Sequence, residues 1–251
     1  MLTTIQYGSQ KLKINLSEPI DISIPLRNEK SPRAFHAPAY MSKPYADDNF
    51  IGALENGSPV NFYNLFINPH GNGTHTESVL HIDRRGQSIF ETLQNFHFVA
   101  YLTTAKEQNL ENGDTVIDAS SLDIDAQKLT DVDALIVRTQ PNFSIKKTFD
   151  YSGTNPSYFT KSAIEKINNL GIQHLLVDIP SIDREQDEGK LVSHKTFWQT
   201  ENDIKVNKTI TEMVFVDNKI KDGLYLLNLQ IISVDIDASP SKPILYHLKL
   251  L

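Results

Sequence analysis

The segment "NPHGNGTHTESVLHI", residues 68 to 82, holds His70, His75, Glu77 and His81 in a chain with only eight histidines. Imidazole nitrogens and a carboxylate oxygen gathered in one stretch are the materials of a metal site or of acid–base chemistry. The histidine spacings do not match the i, i+4 pattern that puts two ligands on one helix face, and Gly71 and Gly73 disfavour a helix. In an extended stretch His75 and Glu77, two positions apart, leave the same face and converge on one point. That combination suits Zn²⁺ or Mn²⁺, which accept imidazole and carboxylate together. The chain has no cysteine, so thiolate ligation and disulfides are excluded. Clustered histidines can also be ordinary hydrogen-bonded surface residues, and spacing alone leaves both readings open.

Several elements must hold this segment in place. "VNFYNLFINP" reads as a strand leading into it, and the first 26 residues alternate in short runs, with Gly8-Ser9 as a turn, so a sheet is expected from the start. Residues 27–57 carry three prolines and little periodicity, which predicts a long irregular covering loop. Ser88 and Glu91 have capping-box spacing and predict a short helix over about 89–96. "FVAYLTTA", "ALIVRT" and "HLLVDIP" read as buried strands. Ala163, Ile164, Ile167 and Leu170 share one helical face, and Gly171 supplies a stop. At least three further strands are expected over 209–249. No repeat or linker divides the chain, so residues 1–251 are read as one domain, strand-rich with two or three helices.

An apolar fraction of 39% and a charged fraction of 22% are those of an ordinary globular protein with enough material for a core. The formal charge of -7 argues against a phosphate-binding surface, so no nucleic-acid partner is expected and a small-molecule substrate is. No apolar run approaches the ~18 to 20 residues of a membrane span, and the opening residues lack an apolar signal stretch. A cytoplasmic location without membrane contact is the expectation.

"GTHTESVLH" resembles the signature H-x-G-T-H-x-D-x-P-x-H of the cyclase-like metal-dependent hydrolases, which include bacterial kynurenine formamidase and isatin hydrolase. Gly73, Thr74, His75 and His81 match it position for position. Glu77 stands where the family has aspartate, Val79 replaces the proline, and the first histidine position falls on Gly71, with His70 one residue earlier. An extra loop residue delivers His70 to the metal, or the site holds one ligand fewer. "LLVDIPSID" at 175–183, a histidine expected on a loop at Ser193-His194, a glutamate before a strand at Thr211-Glu212, and the landmarks "VRT" at 137–139 and "DASP" at 237–240 resemble the family's pattern.

The resemblance implies an α/β fold of the swivelling β/β/α type, with mixed sheets and a few helices. It implies a Zn or Mn cofactor held by His70, His75, Glu77, His194 and Glu212, with His81 as general acid/base. A divalent cation with open positions lowers the pKa of bound water toward ~7 and polarises a carbonyl, so the expected reaction is hydrolysis of a C–N bond. The expected substrate is an aromatic amide: an N-formyl arylamine, as in the formamidase step of tryptophan degradation, or a cyclic amide. Phe35, Tyr40, Phe62, Tyr63 and Phe66, with Tyr45, are candidates for an aromatic pocket, although aromatics near strands are more often core. Family members are homo-oligomers, so a homodimer or homotetramer is expected. The competing reading is a non-catalytic small-molecule or metal-binding relative on the same scaffold.

Overall fold

A computed structural model of the protein describes residues 1–124, 129 and 131–251. Its strands are β1 (Leu2–Tyr7), β2 (Gln10–Asn15), β3 (Ile20–Asp21), β4 (Met41–Pro44), β5 (Tyr63–Phe66), β6 (His75–Glu77), β7 (His97–Lys106), β8 (Gln108–Asn109), β9 (Thr115–Ile117), β10 (Ala134–Gln140), β11 (Tyr158–Phe159), β12 (His174–Val177), β13 (Thr209–Glu212), β14 (Gly223–Ile231) and β15 (Ala238–Leu250). Among the described residues three α-helices accompany them: α1 (Ile89–Thr92), α2 (Lys161–Asn169) and α3 (Val192–Trp198).

The main sheet runs β15-β14-β7-β10-β12-β13-β6, and β6 pairs back onto β15, which closes seven strands into a barrel. Pairing is parallel among β7, β10, β12 and β13 and antiparallel elsewhere around the ring. The β1–β2 hairpin extends the sheet from β15. The architecture is the mixed, strand-rich α/β fold expected.

The closed ring explains why β10 and β12 are near-continuous apolar runs: both faces are buried. Leu135, Val137, Leu175, Val177 and Ile210 face outward and pack with Ala163, Ile164, Ile167, Phe197 and Trp198 of the helices. Their neighbours Ala134, Ile136 and Leu176 face inward with Ala100, Leu102, Leu227 and Leu245. Thr160 Oγ1 accepts from Ala163 N to start α2, and Gly171, at φ +77, ends it. Ile164 and Ile167 are wholly buried, each contributing roughly 1.5–3 kcal/mol.

Three local expectations are corrected. The helix expected over 89–96 stops at Thr92, because buried Leu93 takes an extended ψ of 85° and turns the chain toward β7. The covering loop over 27–57 is not wholly irregular: β4 lies in it and pairs with β5 in a separate two-stranded arm. His194, expected on a loop, lies on α3. That helix lacked a sequence signal because it opens at Leu191 in left-handed backbone, with no side-chain cap of its own, and closes at Gln199, also left-handed, without a glycine. Among the described residues no helix is long and apolar enough to cross a membrane.

Candidate metal centre

The short strand β6 sits at the barrel's closure, with β13 on one side and β15 on the other. Its register places His75 opposite Glu212 and Glu77 opposite Ile210. Alternation sends His75 and Glu77 to one face, while Thr76 Oγ1 meets Thr211 Oγ1 at 2.8 Å on the other. Thr74 pins the strand's entry: its Oγ1 accepts from Ile24 N at 2.8 Å and donates to the Met213 carbonyl at 2.6 Å.

His75 Nδ1 donates to the Gly73 carbonyl at 3.0 Å, which leaves Nε2 as the nitrogen with the free lone pair. That Nε2 lies 3.4 Å from Glu212 Oε2. Glu212 Oε1 accepts from Ile182 N at 2.9 Å. From α3, His194 brings Nε2 to 3.0 Å from Glu77 Oε1 and 3.8 Å from Glu212 Oε1. Its Nδ1 donates to Asp183 Oδ2 at 2.6 Å, and Asp183 also accepts from Ser193 N and His194 N. Asp183 therefore supplies the helix cap that Leu191 cannot, and orients the imidazole with the same carboxylate.

His70 reaches the site from the loop before β6. Its Nδ1 is 3.2 Å from Glu77 Oε2 and its Nε2 donates to Asp237 Oδ2 at 2.8 Å. His81 Nδ1 lies 3.1 Å from the same Asp237 oxygen, and its Nε2 is 3.8 Å from Glu77 Oε2. A histidine at position 71 is sterically excluded, since a Cβ there would meet Ala37 Cβ at 2.2 Å.

Charge is concentrated here. Burial alone would lower the His70 imidazole, but the hydrogen bond to Asp237 and the adjacent negative charge of Glu77 outweigh it and push the pKa up to about 10. Burial likewise opposes the charge on His194, yet Glu77 and Asp183 hold it well above the ordinary histidine value. Burial would raise Glu77, but the charges of His81 and His194 hold it well below the usual carboxylate range. Bonds from His70 and His81 depress Asp237.

Among the described residues, two sets of donors suit a cation: His70, Glu77 and His81, and His75, Glu77 and Glu212, with the ligand atoms of each set within 4.8 Å of one another. They meet at Glu77. His75 Nε2 and Glu77 Oε2 are buried without a hydrogen bond, the 3.2 Å approach of His70 Nδ1 lying outside bonding geometry. Orphaned buried donors and acceptors are costly and call for a partner. A divalent cation is the partner that satisfies a lone-pair nitrogen and a carboxylate oxygen at once, so the residues fit Zn²⁺ or Mn²⁺.

The site opens into a cleft of about 390 Å³ lined by Phe35, Ala37, His70, His81, Arg184 and Leu191, among others. All five expected ligands and His81 thus come together. Of the expected aromatic residues only Phe35 lines the cleft. Phe62, Tyr63 and Phe66 are exposed on or beside the β4–β5 arm, and Tyr40 is half-buried just before β4; the arm's strands pair with each other instead of with the barrel. Sequence reasoning did not assign Asp183, Asp237 or Arg184 to the site. The first two stand in the motifs "PSID" and "DASP", whose acidic residues were the available signal.

Residues 20–184, more than half of the chain, match the model of the Cyclase family, described as "Putative cyclase". No curated protein matches the chain. Among solved structures, a "predicted metal-dependent hydrolase" from Bacillus stearothermophilus is 18% identical, with a TM-score of 0.63 over 91% of this chain and 98% of its own. An isatin hydrolase bound to the product analogue thioisatinate is 12% identical, with a TM-score of 0.62 over 92% and 93%. Isatin hydrolase A from Ralstonia solanacearum is 13% identical, with a TM-score of 0.63 over 91% of each chain. At these identities the likeness is one of fold.

Proposed function

The chain belongs to the Cyclase family, and from that premise and the buried donor set we propose that it is a metal-dependent hydrolase of non-peptide C–N bonds, acting on a formamide or cyclic amide. The observation that carries the reading is the buried pair His75 Nε2 and Glu77 Oε2, neither of which has a hydrogen-bond partner. His75, Glu77 and Glu212 would hold a Zn²⁺ or Mn²⁺ ion, with His70 and His194, which approach Glu77 to 3.2 and 3.0 Å, as further ligands. When bound, such an ion supplies Lewis acidity, which acidifies water and polarises a carbonyl.

The chain's own groups handle the proton. Asp237 Oδ2 accepts a hydrogen bond from His81 Nδ1–H, so Nε2 is the nitrogen free to accept a proton from attacking water and return it to the leaving amine. Phe35 and Leu191 line the cleft and would exclude water from one side of the amide. An N-formyl arylamine is the substrate class this favours, with kynurenine formamidase-like chemistry as one form of it.

A second reading of His81 has its own support, since His70, Glu77 and His81 also form a ligand-capable set. Metal content of untagged protein by mass spectrometry, for wild type, a His75→Ala/Glu77→Ala variant and His81→Ala, tests both. Near-stoichiometric metal that vanishes in the double variant supports the site; its absence after supplying Zn²⁺ and Mn²⁺ defeats the hydrolase reading. If His81→Ala keeps the metal and loses turnover of N-formyl arylamines and cyclic amides, His81 is the base; if it loses metal, it is a ligand.

The reading extends to assembly into a homodimer or homotetramer. Phe62, Tyr63, Leu65 and Phe66 are all more than 40% exposed, a run of apolar surface of the kind that copies of a chain cover. Light scattering of purified protein measures it, and a monomer at micromolar concentration would refute it.

A further inference from the structure

Arg184 directly follows Asp183, the residue that orients His194, and lines the same cleft as the ligand set. We propose that Arg184 recognises an anionic substituent, so that the substrate is an amide carrying a carboxylate; the proposal rests on the hydrolase reading above.

The guanidinium is held by a buried support. Its Nε and Nη2 both donate to Asp114 Oδ1, at 3.2 and 2.9 Å. Asp114 is 2% exposed and is itself fixed by Asn112 Nδ2, Asn155 Nδ2 and Tyr158 OH, at 3.0, 2.9 and 3.0 Å. A long flexible side chain is thereby ordered before any ligand arrives, which removes much of the entropy cost of using it. Nη1 makes a single long bond, 3.4 Å to the Gln186 carbonyl, and the side chain is 42% exposed. Donor capacity is left over in a planar fork suited to a carboxylate.

The surroundings favour this use. Among the described residues lining the cleft, Arg184 is the one lysine or arginine. The nearby carboxylates are turned back onto the backbone: Glu185 accepts from Gly153 N and Asn155 N, and Asp187 from Gly189 N and Leu191 N. The apolar lining residues Phe35 and Leu191 sit in left-handed backbone, at φ 58° and 48°, a strained state that persists where surrounding structure enforces it and that clusters at ligand sites. An apolar body beside these two side chains, with its carboxylate on the guanidinium, fits the chemistry of the cleft.

The test compares formanilide with its carboxylated counterpart 2-formamidobenzoate, on the full chain supplied with Zn²⁺ or Mn²⁺, for wild type, Arg184→Met and Arg184→Lys. Wild type should prefer the carboxylated substrate, and Arg184→Met should lower the ratio of the two kcat/KM values roughly 10- to 100-fold, the range of one charge-assisted hydrogen bond. The loss should fall in KM, and Arg184→Lys should recover part of it. If wild type turns over neither compound, calorimetric binding of the same pair reads the subsite independently of the hydrolase reading: a carboxylate preference lost in Arg184→Met supports it. A wild type without carboxylate preference, or a preference that survives Arg184→Met in a folded protein, overturns it.

Discussion

The imidazole rings of His70 and His81 stack with centroids 4.1 Å apart and planes at 30°, and Asp237 Oδ2 lies 2.8 Å from His70 Nε2 and 3.1 Å from His81 Nδ1. One carboxylate oxygen thus fixes the orientation of a ligand-capable imidazole and of the proposed base. Asp237→Asn should weaken metal affinity about 10- to 100-fold, as loss of a carboxylate behind a metal-bound histidine does, and should lower kcat as well. The fold should survive, since the Asp237 contact to Ser78 N is made by its backbone carbonyl. Competition against a chelator measures the affinity; an unchanged value would show that Asp237 does not orient His70.

Metal binding should release protons. In the metal-free protein His70 is raised to about 10 and His194 well above its ordinary value, so both are cationic at neutral pH, and a ligand nitrogen must give up its proton. Affinity should therefore rise with pH up to about 10. Calorimetry in buffers of different ionisation enthalpy should show release of roughly one to two protons per ion near neutrality. The ion should also stabilise the fold by about 2.7 kcal/mol at a hundredfold excess over Kd, read as a rise in Tm. Glu77→Gln, which removes the charge common to both donor sets, should abolish that rise; a full rise in the variant would place the ion elsewhere.

How the site could be read ahead of the fold follows from particular residues. His75 and Glu77 were legible as a pair because the two-residue period of a strand puts them on one face, and β6 is a strand. Helix α2 was legible because Ala163, Ile164 and Ile167 recur at helical spacing and are buried. The partnership of His75 with Glu212 was not readable from periodicity, because it comes from the register between β6 and β13, 135 residues apart as the Thr76–Thr211 bond between them is. Arg184 escaped for the same reason, since it acts through tertiary neighbours that no local pattern encodes, whereas Asp237 had its place in "DASP" as a signal but its partners only in the fold.

Position 71 gives a steric prediction. Gly71→His should not rescue His70→Ala, although it restores the signature's first histidine position, because its Cβ would fall 2.2 Å from Ala37 Cβ. The Gly71 carbonyl also accepts from Ala34 N, so the loop resists moving away. Overpacking of this kind costs about 1–3 kcal/mol, and Gly71→Ala alone should already show it by denaturant unfolding. Adding Ala37→Gly should recover most of the loss; a Gly71→Ala protein as stable as wild type would mean that the loop yields freely.

His174 sets an acid-stability prediction away from the metal centre. Burial pushes its pKa down from 6.5 to about 4, and its Nδ1 shares a 2.8 Å hydrogen bond with Thr209 Oγ1. Between those two values the unfolded chain binds a proton that the folded chain refuses, so stability rises with pH across that window and is lost as pH falls through it. A shift of this size corresponds to about 3 kcal/mol, fully present above pH 6.5 and gone below about 4. His174→Asn removes the titrating group. Its stability deficit against wild type, measured by denaturant unfolding, should therefore be largest near pH 7 and shrink steadily toward pH 4. Because the depressed carboxylates Asp183 and Asp237 are common to both proteins, their own acid losses cancel in the difference. A deficit that stays constant from pH 7 to 4 would mean that His174 takes up its proton in the folded state as readily as in the unfolded one.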